Sequence, residues 1–209
     1  MLKIEKTVLP SPEQWEIIIE GMRNPMNSWD KSDSEIYYDV DFVLGENDHK
    51  LMTSLAKGGA VHAKYRRMIP VFLTINAPLY WWKEFDTYKV GTVANSCSTM
   101  HKIHSKEFTL DDFSIEHLSG RAMTTLVEVI KMLNFYRDWY LEAKDKTQWW
   151  QMIQLLPTSY NQKRTVMLNY EVLVNIYHSR KNHKLDEWHT FCDWIRGLPY
   201  SELITGGVD

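Results

Sequence analysis

Between Pro78 and His101 the chain reads PLYWWKEFDTYKVGTVANSCSTMH, and the tail of this stretch concentrates residue types that hold small polar ligands. Gly91, Thr92, Asn95, Ser96, Ser98 and Thr99 offer hydroxyl, amide and accessible backbone groups suited to a phosphate, a ribose or a pyrimidine edge. The same composition also makes an ordinary capped loop, and local chemistry leaves both readings open. Upstream, His62-Ala63-Lys64-Tyr65-Arg66-Arg67 forms a basic step, which is either a solvated strand edge or one wall of a site for an anion. Downstream, a helix over 162–180 would carry Val166, Leu173 and Ile176 on one side. Asn169 and Arg180, eleven residues apart, would fall near that same face after about three turns. Polar groups on an apolar stripe need partners.

The elements that must position these groups follow from apolar spacing and from chain breakers. A strand is expected over Leu2–Val8, then a helix that Ser11 caps and Pro12 opens, reaching Met22 or Arg23. Asn24 to Ser34 reads as a loop free to move, and Tyr37 to Leu44 as a strand or an extended connector. Asn47 or Asp48 is placed to cap a helix that Gly58-Gly59 ends. The apolar run Ile69 to Ala77 reads as a buried strand that stops at Pro78, with a helical turn or two over Tyr80 to Phe85. Thr109 to Asp112 looks like a helix start. Arg121 to Lys144 is the longest expected helix, followed by a short one through Trp149, Trp150, Ile153 and Leu156, and a last one from Leu185 to Arg196.

Composition sets the outer limits. With 209 residues, 44% of them hydrophobic, residues 1–209 are expected to form a single domain. A net charge of -3 argues against general nucleic-acid binding. No apolar run approaches the length of a membrane span, and MLKIEKTVLP lacks a signal-peptide pattern, so a cytoplasmic protein is expected. Cys97 and Cys192 lie far apart, which favours reduced thiols; with no HExxH or CxxC array, no metal site is expected.

The C-terminal third, LPTSYNQKRTVMLNYEVLVNIYHSRKNHKLDEWHTF, resembles the flavin-dependent thymidylate synthases in Leu156-Pro157, Asn169, Asn175, Arg180 and, after a one-residue insertion, Trp188. The central stretch is similar to that family's R-H-R-x-x-S-x-N-x-x-S-x-R signature. Thr87-Tyr88-Lys89 stand at R-H-R, Thr92 at its first Ser, and Asn95 and Ser98 follow after one extra residue. His62 resembles the histidine of a G-H-x-S-P step, and the resemblance spans roughly residues 50 to 196. The departures are Thr87 and Tyr88 for the first Arg and the His, Met100 for the last Arg, Arg67 or Met68 for a second histidine, and Glu171 for a flavin-contacting Arg.

The resemblance implies an α+β subunit, a twisted antiparallel sheet with packed helices, assembled as a homotetramer that binds FAD and dUMP. Nine Trp and eleven Tyr also point to an oligomer, being more aromatic surface than one small core readily hides. The implied reaction is reductive methylation of dUMP to dTMP, with methylenetetrahydrofolate as carbon donor and NADPH as reductant. Carried over, His62, Thr87, Tyr88, Lys89, Asn95, Asn169 and Asn175 would face the flavin. Glu84, Ser96, Ser98 and Arg180 would face the nucleotide, with Arg180 as the catalytic group. Two other classes stay open: a flavin enzyme acting on another pyrimidine nucleotide or a polynucleotide, and a non-catalytic oligomeric binding protein that kept the fold.

Overall fold

The computed structural model describes residues 1–38 and 40–206. Among them the order is β1 (Lys3–Val8), α1 (Pro12–Arg23), β2 (Glu35–Tyr37), β3 (Asp41–Val43), α2 (Glu46–Lys57), β4 (Pro70–Pro78), α3 (Leu79–Phe85) and β5 (Val93–Ser96). Then follow α4 (Gly120–Ala143), α5 (Lys146–Leu155), β6 (Asn161–Asn169), α6 (Tyr170–Arg180), α7 (Asp186–Arg196) and α8 (Glu202–Thr205), with short 3-10 turns between. Four strands form a sheet in the order β1-β4-β6-β5, and β2 pairs antiparallel with β3, Ile36 opposite Phe42. The class is α+β, antiparallel sheet with packed helices. No helix among the described residues is long and apolar enough to cross a membrane.

The chain divides into two compact units, each of the four sheet strands having residues in both. The first comprises Met1–Glu5, Thr74–Thr87 and Asn95–Thr165. Its core is Ile103, Phe108, Phe113, Leu126, Ile130, Leu133 and Met152, drawn mainly from α4, α5 and the turns before them. In the same unit Trp81, Trp82 and Phe85 of α3 are buried against one another, and Trp82 Nε1 donates to the Gln162 carbonyl at 2.9 Å. The second unit comprises Lys6–Leu73, Tyr88–Ala94 and Val166–Asp209. It buries Trp15, Ile18 and Ile19 of α1, Leu173, Ile176 and Tyr177 of α6, and Trp188, Phe191 and Ile195 of α7.

The strand, Pro78 break and helix over 69–85 fall where apolar run and breaker put them. Ser11 caps α1 in a capping box with Gln14. The expected single helix over 162–180 is instead β6 followed by α6. Gln162, Val166 and Leu168 are buried while Lys163 and Thr165 are exposed, the alternation of a strand, and Asn169 is the residue at which the backbone turns helical. Its Oδ1 accepts the Val172 N–H at 3.1 Å, a cap of about 1 kcal/mol. The shared helical face proposed for Asn169 and Arg180 therefore does not exist. Thr109 does form a capping box, but on a single 3-10 turn, Leu110–Asp112, rather than a helix. Residues 93–96 of the expected polar loop are strand β5.

The cap of α2 is not Asn47 or Asp48; both lie inside the first turn, and Gly45 holds the cap position. Asp33, from the preceding loop, accepts the N–H groups of Asn47 (2.9 Å) and Asp48 (3.1 Å). A Cβ on Gly45 would meet the Asp33 carboxylate at 2.1 Å, so only glycine fits. The loop 24–34, expected to be free to move, is pinned from beneath. Arg23, 3% exposed, donates from Nε to Asp48 at 2.5 Å and from its other nitrogens to the carbonyls of Ser28 and Lys31. Fully buried Asp48 also accepts from Ser32 Oγ, the Asp33 N–H, and both the N–H and Oγ of Ser34. Burial alone would raise the Asp48 pKa, but the hydrogen bonds from Ser34, Ser32 and Arg23 hold the carboxyl below its ordinary range.

Candidate functional site

The C-terminal end of α6 carries Arg180, half-buried, and the residues that fix it lie in the same unit. Its Nε donates to the Tyr88 hydroxyl at 2.8 Å. Its guanidinium carbon sits 4.8 Å from the Trp188 ring centre and 5.5 Å from that of Tyr88, the two rings being 6.1 Å apart. Trp188 is fully buried, so the cation rests on an immobile aromatic floor. Cation–π contacts of this kind contribute about 0.5–2 kcal/mol and fix the plane of the guanidinium fork. Tyr88, which stands where the family signature has a histidine, thus acts on Arg180.

Gly91 approaches the start of α6 in this same unit. With φ at +80° it adopts a left-handed conformation, and a Cβ there would meet Val172 at 3.1 Å and the Asn169 amide at 3.3 Å. Asn169 is half-buried, its carbonyl oxygen spent on the cap. Thr92 has a buried hydroxyl without a hydrogen-bond partner. Lys89 is exposed, and its carbonyl accepts the Thr92 N–H at 3.3 Å.

In the first turn of α6, Glu171 is 9% exposed, and its Oε2 lies 2.9 Å from Nε of Arg66, itself 5% exposed. Arg66 also donates to the Leu203 carbonyl at 3.1 Å. Glu171, Val174, Asn175 and His178 recur at helical spacing and line a cavity of about 510 Å³ that His49, Thr53 and Glu202 also border. His49 Nε2 is 2.7 Å from Glu202. Arg66 was a candidate cation for an anionic ligand; its charge is instead neutralised inside the protein by Glu171. Glu171, Asn175 and His178, three polar residues at helical spacing among apolar neighbours, were the signal for this cavity in the sequence.

His62 is exposed, on the turn after Gly58-Gly59, with its N–H bonded to the Gly59 carbonyl. The remaining candidates belong to the first unit. Glu84 is half-buried on α3, and its carbonyl accepts the Thr87 hydroxyl at 2.7 Å, closing that helix. Asn95 and Ser96 are exposed on β5. Ser98 accepts the N–H groups of Met100 and Lys102, the capped-loop reading of that segment. With Cys97, Lys106 and Asp112 it borders a smaller cavity of about 260 Å³. Cys97 is exposed, whereas burial pushes the Cys192 thiol up to about 11.

Thymidylate Synthase X (ThyX) from Helicobacter pylori, solved with FAD and dUMP, matches 97% of this chain with 94% of its own at a TM-score of 0.67 and 14% identity. A second structure of the H. pylori flavin-dependent enzyme, also complexed with FAD and dUMP, matches 100% of this chain with 99% of its own, TM-score 0.66, 13% identity. The UMP/dUMP methylase PolB from Streptomyces cacaoi, bound with 5-Br dUMP, matches 99% with 94%, TM-score 0.64, 12% identity. The likeness is one of fold, extending over nearly the whole of each chain. By sequence, no family model matches and no curated protein matches.

Proposed function

From the fold that this chain shares with the flavin-dependent thymidylate synthases, we propose that it is a divergent enzyme of that kind, binding dUMP or a related pyrimidine nucleotide together with FAD. The observation that carries the reading is the Arg180 clamp. A planar cation pinned by a tyrosine hydroxyl and an indole face is a preorganised receptor for the carbonyl edge of a pyrimidine or for a phosphate. In the proposed reaction Arg180 orients the nucleotide and offsets negative charge that develops on its ring oxygen.

The donor set suits a flavin in part. His62, Lys89 and Asn175 present exposed polar side chains in one unit, two hydrogen-bonding groups for carbonyl oxygens and one cation for a pyrophosphate. Thr87, Tyr88 and Asn169 would contribute less, since each has a polar atom engaged within the chain. Bound FAD would supply the redox step, with methylenetetrahydrofolate as carbon donor and NADPH as reductant. The residues here would bind, orient and exclude water. The proposed assembly is a homotetramer.

The test is a titration of the purified chain with FAD, dUMP and deoxyuridine. Flavin fluorescence should be quenched saturably at micromolar FAD, and dUMP should bind more tightly than deoxyuridine. Absence of flavin binding at high micromolar concentration would refute the enzyme reading. Equal affinity for the two pyrimidines would remove the phosphate from the site.

A further inference from the structure

Residues 11–48 hold ten of the chain's 27 carboxylates but only two of its 24 cations, a formal charge of -8 in a chain whose total is -3. A segment so unbalanced attracts cations. Within it, α1 and the stretch from Trp29 to Phe42 enclose a cavity of about 430 Å³, the size of a small-molecule site. Glu16, Glu20 and Glu35 line this cavity, and the single cation that borders it among the described residues, Arg23, is already neutralised by Asp48. Glu35 accepts from the Tyr37 hydroxyl. Glu16 and Glu20, one turn apart on α1, have no ion-pair or hydrogen-bond partner for their carboxylates among the described residues.

The walls select the ligand. Trp29, whose Nε1 donates to Asn24 Oδ1 at 2.8 Å, and Phe42, stacked on Trp15 with ring centres 5.5 Å apart, offer aromatic surface to a cation. Ile19 adds aliphatic surface. The three carboxylates do not converge on one point, since no trio of such side chains among the described residues is placed to hold a metal ion. Negative charge spread over the walls, with apolar surface between, matches a cation whose charges are likewise separated by methylene segments. We propose that this cavity binds a linear aliphatic polyamine, its ammonium groups at Glu16, Glu20 and Glu35 and its methylenes against Ile19, Trp29 and Phe42. None of these residues belongs to the proposed dUMP or flavin set, so the inference does not rest on that reaction.

The experiment is a calorimetric titration of the full chain in about 0.15 M NaCl, where the Debye length is about 8 Å and diffuse attraction is screened. Spermidine should bind saturably, and about tenfold or more tightly than hexaamminecobalt(III), a compact trication of equal charge without methylenes. Glu16→Gln combined with Glu20→Gln, both at exposed helix positions, should weaken spermidine by about tenfold, the scale of two exposed ion pairs. Trp29→Ala should weaken it several-fold, the scale of one cation–π contact. Circular dichroism checks that both variants fold. No saturable spermidine binding at millimolar concentration, equal or tighter binding of the cobalt complex, or unchanged affinity in either folded variant would overturn the proposal. Tighter binding of trilysine, a peptide of the same net charge, would overturn it in favour of a basic protein segment.

Discussion

Replacing Asp48 by alanine is expected to cost about 3–5 kcal/mol of folding stability, the penalty for stranding the charge of a buried ion pair. Arg23 is 3% exposed and would keep its charge with no carboxylate beside it. Ser32, Asp33 and Ser34 would lose the acceptor that gathers their loop. The urea midpoint of unfolding should fall steeply while the slope stays unchanged. The wild-type pH profile follows from the same carboxylate. Its folded pKa is depressed, so the stability it contributes is fully present above the ordinary aspartate pKa and is lost as pH falls through the folded value. Asp48→Asn should flatten that acid limb. An alanine variant within about 1 kcal/mol of wild type would mean that Arg23 finds another partner.

The second large effect concerns ligand binding. Arg180→Ala should weaken dUMP by about thirtyfold, on the order of 2 kcal/mol for a charged hydrogen bond. Tyr88→Phe, which removes only the hydroxyl that fixes Nε at 2.8 Å and keeps the ring beneath the cation, should weaken it by less. Calorimetric titration of the three proteins checks the order. Unchanged dUMP affinity in Arg180→Ala would take Arg180 out of the site, whatever the fate of the fold.

How much of this was legible in the sequence depended on range. The strand, Pro78 break and helix over 69–85 depend on neighbouring residues alone and could be read directly. β6 could not, because Val166, Leu173 and Ile176 mimic helical spacing across a strand-to-helix junction. The cue that separates them, an Asn three residues before the N–H it caps, is visible only once the junction is suspected. Arg23 and Asp48 are 25 positions apart, and Arg180 and Tyr88 are 92 apart. No local pattern announces either pair. Motif resemblance brought Tyr88 and Arg180 to notice as separate candidates; the fold shows that one positions the other. Glu171 was noticed only as a lost arginine, and its burial against Arg66 is what makes the reversal intelligible.

The proposed reaction would place a methyl group on carbon 5 of a pyrimidine nucleotide with the help of a flavin, and loss of the C5 hydrogen reports that step directly. Purified protein supplied with FAD, NADPH, methylenetetrahydrofolate and dUMP tritiated at C5 should release tritium to water, and release should fall to background when FAD is omitted after flavin has been stripped. Saturable dUMP binding with no tritium release above the protein-free control, flavin present, would contradict the account and leave a nucleotide-binding protein that has the fold without the reaction.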